Sequence, residues 1–144
     1  MYQRWAALCL VLGLCAGLAG KSAGQQDTTQ ARNQKKGTLG QNYPNPFRAE
    51  TRLPFSINEC TSADHQAFVT LRVYNVLAQV VATPLLEESG KPVLNVALPC
   101  GATYVAVWDG RVNNGRRASP SGVYVFQLLV NGKPVDARKG LRRK

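Results

Sequence analysis

The chain has one histidine and no pair of cysteines spaced as CxxC, and each shortage excludes a chemistry. His65 stands in a polar loop with no nucleophile or orienting carboxylate at a recognisable spacing, so it reads as a solvent-exposed loop residue and not as a general base. Without CxxC, a zinc ribbon or a dithiol redox site has no basis. Acidic residues are also few, 8 against 18 basic ones, for a formal net charge of +10. Glu50, Glu59, Asp64, Glu87, Glu88, Asp109 and Asp136 are scattered, without the paired, desolvated setting that acid–base catalysis needs. The segment Asp109 to Gly115 looks like the start of a calcium loop but lacks the later carboxylates, so an Asx-type turn suits it better. The expectation is no enzyme, with no catalytic residue, cofactor, metal or evident small-molecule substrate.

Helical periodicity is missing as well, and alternation takes its place. Between Tyr104 and Asn131, two apolar alternating runs flank a glycine-rich connector. Tyr104, Ala106 and Trp108 share one parity; Tyr124, Phe126, Leu128 and Val130 share another. A period of two in aromatic and β-branched residues marks strands packed on a core, which makes Trp108 a core residue before it is a ligand platform. Asp109-Gly110 and Asn113-Asn114-Gly115 are turn formers, and Pro120-Ser121-Gly122 re-enters the second strand.

At the N-terminus, Arg4 precedes an apolar run from Trp5 to Leu18 and then the small residues Ala19, Gly20, Ser22, Ala23 and Gly24. This reads as a secretory signal peptide over residues 1–24, with cleavage after Ala19 or Gly24 both fitting. Leu12-Gly13-Leu14-Cys15 offers a lipoprotein alternative, against which the bulky Leu14 argues. Residues 25–38 are polar and glutamine-rich, too poor in apolar side chains to offset their ordering entropy, and read as a disordered linker. Without the leader, 16 basic side chains face 8 acidic ones, and the cysteines left are Cys60 and Cys100. In an exported chain those two suggest a disulfide, two separate buried thiols being the alternative. The basic excess gathers in the tail, at Lys133, Arg138, Lys139, Arg142, Arg143 and Lys144. With no aromatics interleaved in that cluster, nucleic acid is not expected as a partner.

The domain then occupies residues 39–144. Strands are expected at Thr51 to Ile57, Ala67 to Tyr74, Val80 to Thr83, Val93 to Leu98, the Trp108 run, Val123 to Val130 and Pro134 to Leu141. Pro54 makes the first of these an edge strand, or one whose donor side is free. About seven short strands with regular turns imply an all-β, immunoglobulin-like antiparallel sandwich.

Four motifs occur in order: Gly40-Gln41-Asn42-Tyr43-Pro44-Asn45-Pro46-Phe47, Leu71-Arg72-Val73-Tyr74-Asn75-Val76-Leu77, Trp108-Asp109-Gly110-Arg111 and Pro120-Ser121-Gly122-Val123-Tyr124. Together they resemble the type A C-terminal sorting domain of type IX secretion cargo, itself similar to the immunoglobulin-like domain of the flagellar hook-capping protein. The chain departs from that pattern at Arg48-Ala49, at Ala78 where the family has a turn glycine, and at Arg142-Arg143. The resemblance implies an exported module that passes through the periplasm to the cell surface or medium and meets the membrane only during export. Outer-membrane secretion machinery or other surface proteins would be its partners. Its signal would be Arg138, Lys139, Gly140, Leu141, Arg142, Arg143 and Lys144, held extended and solvated and captured through open backbone. Asn42, Pro44, Asn45, Pro46, Phe47, Tyr74, Asn75, Trp108, Asp109, Gly110, Gly122 and Tyr124 would be structural motif residues. A free-standing structural, assembly or adhesion module is the alternative.

Overall fold

A computed structural model describes residues 35–144, apart from 59, 61–62 and 113–120. The expected signal peptide and residues 25–34 of the expected linker lie outside the described residues, as do Glu59, Asn113, Asn114 and Gly115. Among the described residues no helix is long and apolar enough to cross a membrane.

The fold is the expected all-β sandwich, with more strands than the sequence suggests. They are β1 (Gly37–Leu39), β2 (Thr51–Ile57), β3 (Gln66–Tyr74), β4 (Val80–Ala82), β5 (Leu85–Leu86), β6 (Val96–Pro99), β7 (Thr103–Trp108), β8 (Gly122–Val130) and β9 (Lys133–Arg142). A four-stranded sheet runs β1-β2-β7-β5; a five-stranded sheet runs β4-β3-β8-β9, with β6 also paired to β3. All strand pairs are antiparallel. Strict alternation on β2, β3 and β7 sends Leu53, Phe55, Ile57, Val69, Leu71, Val73, Ala106 and Trp108 into one interior, where Phe126, Leu128 and Leu39 join them.

Three expectations need correction. The linker was expected to reach Thr38, but Gly37 and Thr38 already belong to β1. Pro54 does not mark an edge, because β2 lies between β1 and β7. Its donor side is free in the other expected sense: the Pro54 carbonyl accepts from Gly40 N at 2.8 Å, just past the end of β1, so its nitrogen faces a point where no ladder bond is required. Leu85-Leu86, which the expected strands leave out, form β5 against Val107 and Ala106.

Cys60 and Cys100 are joined in a disulfide with their Cα atoms 5.8 Å apart, which ties the loop after β2 to the turn before β7. Asn131 (φ 50°) and Gly132 (φ 75°) supply the two left-handed residues that a tight hairpin between β8 and β9 requires.

The five-stranded sheet would end at β9 in an open edge, and the chain closes it with its own proline-rich segment. Phe47 N donates to Leu141 O at 2.9 Å, and Arg143 N donates to Phe47 O at 2.8 Å. Leu141 N donates to Asn45 Oδ1 at 2.9 Å, and Gln41 Nε2 to Lys139 O at 2.9 Å. Asn42, buried beneath, donates to Thr51 Oγ1 at 2.9 Å and accepts from Gln41 Nε2 at 2.7 Å. The closure needs Gly140. A methyl there would lie 2.6 Å from a Phe126 ring carbon and 2.9 Å from Asn42 Oδ1. Gly140→Ala is therefore expected to lower stability by about 1–3 kcal/mol through overpacking, read as a lower denaturant midpoint at unchanged slope.

Candidate functional site

Most of the residues picked out by sequence motifs converge on a structural joint, while Tyr74 and Asn75 lie apart from it on the outer face of the five-stranded sheet. Phe47, Tyr124 and Phe126 surround Trp108 edge-on, with ring centroids 5.7, 4.9 and 5.8 Å away. Trp108 Nε1 donates to Arg111 O at 2.9 Å, and Asp109 Oδ1 accepts from Arg111 N at 2.9 Å in the expected Asx-type turn. Gly110, at φ 73°, leaves room for the Arg142 guanidinium, since a methyl there would lie 2.7 Å from Arg142 Nε. Gly122 pairs with Arg142 at the start of β8. Pro44 and Pro46 sit in the segment that closes β9, and Asn45 contributes its side-chain oxygen there. All of these residues are fixed by packing and hydrogen bonding.

The expected free basic tail is a strand. Residues Arg138 to Arg142 belong to β9, Gly140 is buried, and Arg142 is 5% exposed. Only Arg143 and Lys144 follow the strand, and the Arg143 N–H is engaged by Phe47. The edge that capture by strand addition would use is taken by residues 41–47. A solvated, backbone-accessible Arg138 to Lys144 is thus corrected on geometry.

Parity on β9 explains where its charges go. Asp136 and Arg138 pair with Leu128 and Phe126 and point inward at the sheet margin, whereas Lys139 and Leu141 pair with Val125 and Val123 and point outward. Asp136 Oδ2 accepts from Leu39 N at 3.0 Å, and Oδ1 from Ala137 N and Arg138 at 3.0 Å and Lys35 at 3.4 Å. One carboxylate thereby ties β1 of one sheet to β9 of the other. Burial pushes its pKa up, but the Leu39 and Ala137 N–H groups, the Arg138 charge and the Lys35 bond outweigh that and hold it below the usual carboxylate value.

With the β9 edge closed, what stays accessible is the outer face of the five-stranded sheet. Across it, Tyr74, Val125 and Lys139 lie in register side by side, and Arg72, Gln127 and Ala137 form the next row. Val80 flanks Tyr74 on β4, and Val123 pairs with Leu141 beyond Val125. Tyr74 OH donates to Gln127 Oε1 at 2.9 Å. A hollow of about 380 Å³ is lined there by Tyr74, Asn75, Val76, Ala78, Val125 and Gln127.

The turn beside the hollow is rigidly built. Asn75 Oδ1 accepts from Leu77 N and Gln79 N, both at 3.0 Å, Asn75 Nδ2 donates to Gln79 Oε1 at 3.0 Å, and Ala78 takes φ 57°. The turn leaves Val76 and Leu77 77% and 74% exposed. With Val80, Val123 and Leu141, also exposed, they make this end of the face unusually apolar. The outward positions of β3, β8 and β9 carry no carboxylate among the described residues, while Arg72 and Lys139 lie on that face.

Reading along the chain missed this surface. Arg72, Tyr74 and Asn75 fall within one sequence motif, and Lys139 and Leu141 fall in the expected tail signal. Outward parity carried the signal, but the register that aligns three strands does not show in any one of them.

No family model and no curated protein matches the chain. Among solved structures it is similar to the Pseudomonas fluorescens alkylpurine DNA glycosylase AlkC bound to DNA containing an abasic site analog, with 16% sequence identity and a TM-score of 0.47. The match covers 76% of this chain, which spans only 31% of that one. The identification with type IX sorting domains, and the sorting or surface-module function taken from it, are corrected by these findings. Nothing among these matches bears out the expectations of a non-enzymatic chain, of no nucleic acid, or of secretion machinery or surface proteins as partners. Those expectations are withdrawn. A likeness this distant transfers neither that protein's activity nor its DNA to this chain.

The Asp136 tie sets a pH dependence. Its folded pKa is depressed, so its stabilisation is fully present above the unfolded carboxyl value of about 3.9 and is lost as pH falls through the lower folded value. Melting temperature should therefore drop below about pH 4. Asp136→Asn should be less stable than the natural chain at neutral pH, and the gap should narrow as the solution is acidified.

Proposed function

We propose that this protein is a binding domain whose working surface is the outer face of the five-stranded sheet, around the hollow between Tyr74 and Val125, and that it takes a protein segment there. One observation carries the reading: exposed aliphatic side chains gather around a formed hollow on a face without carboxylates. Single exposed apolar residues are ordinary, but a contiguous group beside a concavity marks an interaction surface. The lining is chiefly aliphatic and amide with one tyrosine, which suits amino-acid side chains. Three of the sheet edges are poor alternatives. β9 is closed by residues 41–47, the Leu39 N–H of β1 is taken by Asp136, and β5 has two residues. A face offers specificity through pockets where an edge would offer backbone bonds.

Panning the folded domain against a random peptide library tests this reading. Selected peptides should lose roughly tenfold or more in affinity on Val125→Glu. Circular dichroism and the melting curve should confirm that this outward substitution leaves the fold intact. Failure to enrich any peptide, or equal binding to the variant, would defeat it.

A further inference from the structure

The outer face is more than apolar, because its charges have one sign. Among the described residues the ion pairs fall on Lys35, Arg52, Arg111 and Arg138, all of them elsewhere. Arg72 sits beside Gln127 and Lys139 beside Val125, so each cation adjoins a residue that lines the hollow. They flank it from different strands.

We infer that the segment bound on this face is acidic, with two carboxylates set against Arg72 and Lys139 and an apolar side chain between them in the hollow. The inference rests on the proposed binding role of the face and specifies its ligand. Three observations support it. The first is charge complementarity: a cationic face without acids of its own favours an anionic ligand and raises its rate of encounter. The second is spacing. Arg72 and Lys139 stand two strands apart and one row offset, about 12 Å at the usual strand separation and rise. Carboxylates four residues apart in an extended chain share one face and stand about 13 Å apart, with the residue midway between them on that same face. The third excludes a second copy of this chain as occupant. With a net charge of +10, two copies joined by this face would press Arg72 and Lys139 against their own equivalents.

Fluorescence anisotropy with labelled synthetic peptides tests it on the folded domain. The probe is Gly-Gly-Glu-Ser-Leu-Ser-Glu-Gly-Gly, with its Gln-Ser-Leu-Ser-Gln twin and a single-stranded oligothymidylate of similar length as comparisons. The glutamate peptide should bind about fivefold more tightly than its twin, the effect of two exposed ion pairs. That advantage should shrink as salt rises from about 50 to 300 mM. The double variant Arg72→Glu with Lys139→Glu, both outward positions, should reverse the preference in favour of Lys-Ser-Leu-Ser-Lys. Equal binding of the twins, no binding of either, or a preference that survives the reversal would overturn the inference. Tighter binding of the oligothymidylate, lost in the same double variant, would overturn it in favour of nucleic acid. Library peptides that depend on Val125 but show no acidic bias would leave the proposed binding role standing and remove only this inference.

Discussion

The structure depends on how one sheet edge is closed. A strand at the end of a sheet exposes a row of unpaired N–H and C=O groups, open to pairing with any extended chain. Here β9 would be that strand, and residues 41–47 fold across it, with Phe47 bonded on both sides to the backbone of Leu141 and Arg143. The closure works because several distant residues agree. Gly140 leaves room for Asn42, Gly110 leaves room for Arg142, and Phe47 delivers its ring to Trp108. Asp136 adds the cross-sheet tie to β1. Removing any one would leave either a clash or a buried polar group without its partner.

This closure also decides where binding can occur. The last basic residues, which look like a loose arm when counted along the chain, are divided by strand parity. Arg138 and Arg142 turn inward, while Lys139 turns out beside Val125. Inward charges at a sheet margin discourage edge pairing, and outward ones charge the face. A sheet that cannot grow at its β9 edge but presents a formed hollow, a rigid apolar turn and unopposed cations is suited to recognition by side chains. Tyr74 serves both roles, closing the hollow with its ring while its hydroxyl bonds Gln127.

Much of the fold was legible because alternation is a local property. Val69, Leu71 and Val73 on β3, and Tyr124, Phe126 and Leu128 on β8, lie inside as their parity requires. The Asn131-Gly132 turn is local in the same way, whereas the Cys60–Cys100 pairing was legible from the count of cysteines that remain beyond the expected leader. What could not be read depended on register. Leu85-Leu86 is too short to show periodicity, and it becomes a strand only because Val107 and Ala106 lie beside it. Gly37-Thr38 lies in sequence that is too polar to mark as strand, and is ordered by pairing with Ile57 and Ser56. Arg142 counts as one more tail cation until Gly110 is seen to make space for it. The docking face combines residues of three strands whose alignment is set by the β8–β9 bulge and the hairpin. Hence the motifs around Trp108 mark a joint where packing constrains residue identity, while the motif from Leu71 to Leu77 reads as a surface only once register aligns β3 with β8 and β9.

Amide hydrogen exchange of the natural chain, resolved by residue, tests the closed edge most directly. The N–H groups of Phe47, Leu141 and Arg143 are all bonded across the β9 seam. They should exchange as slowly as amides of the β8–β9 ladder, opening only with the unfolding of the sheet. Exchange of Leu141 and Arg143 at the rate of an unstructured peptide, with β8 still protected, would show a free tail and an open edge, and would contradict the account.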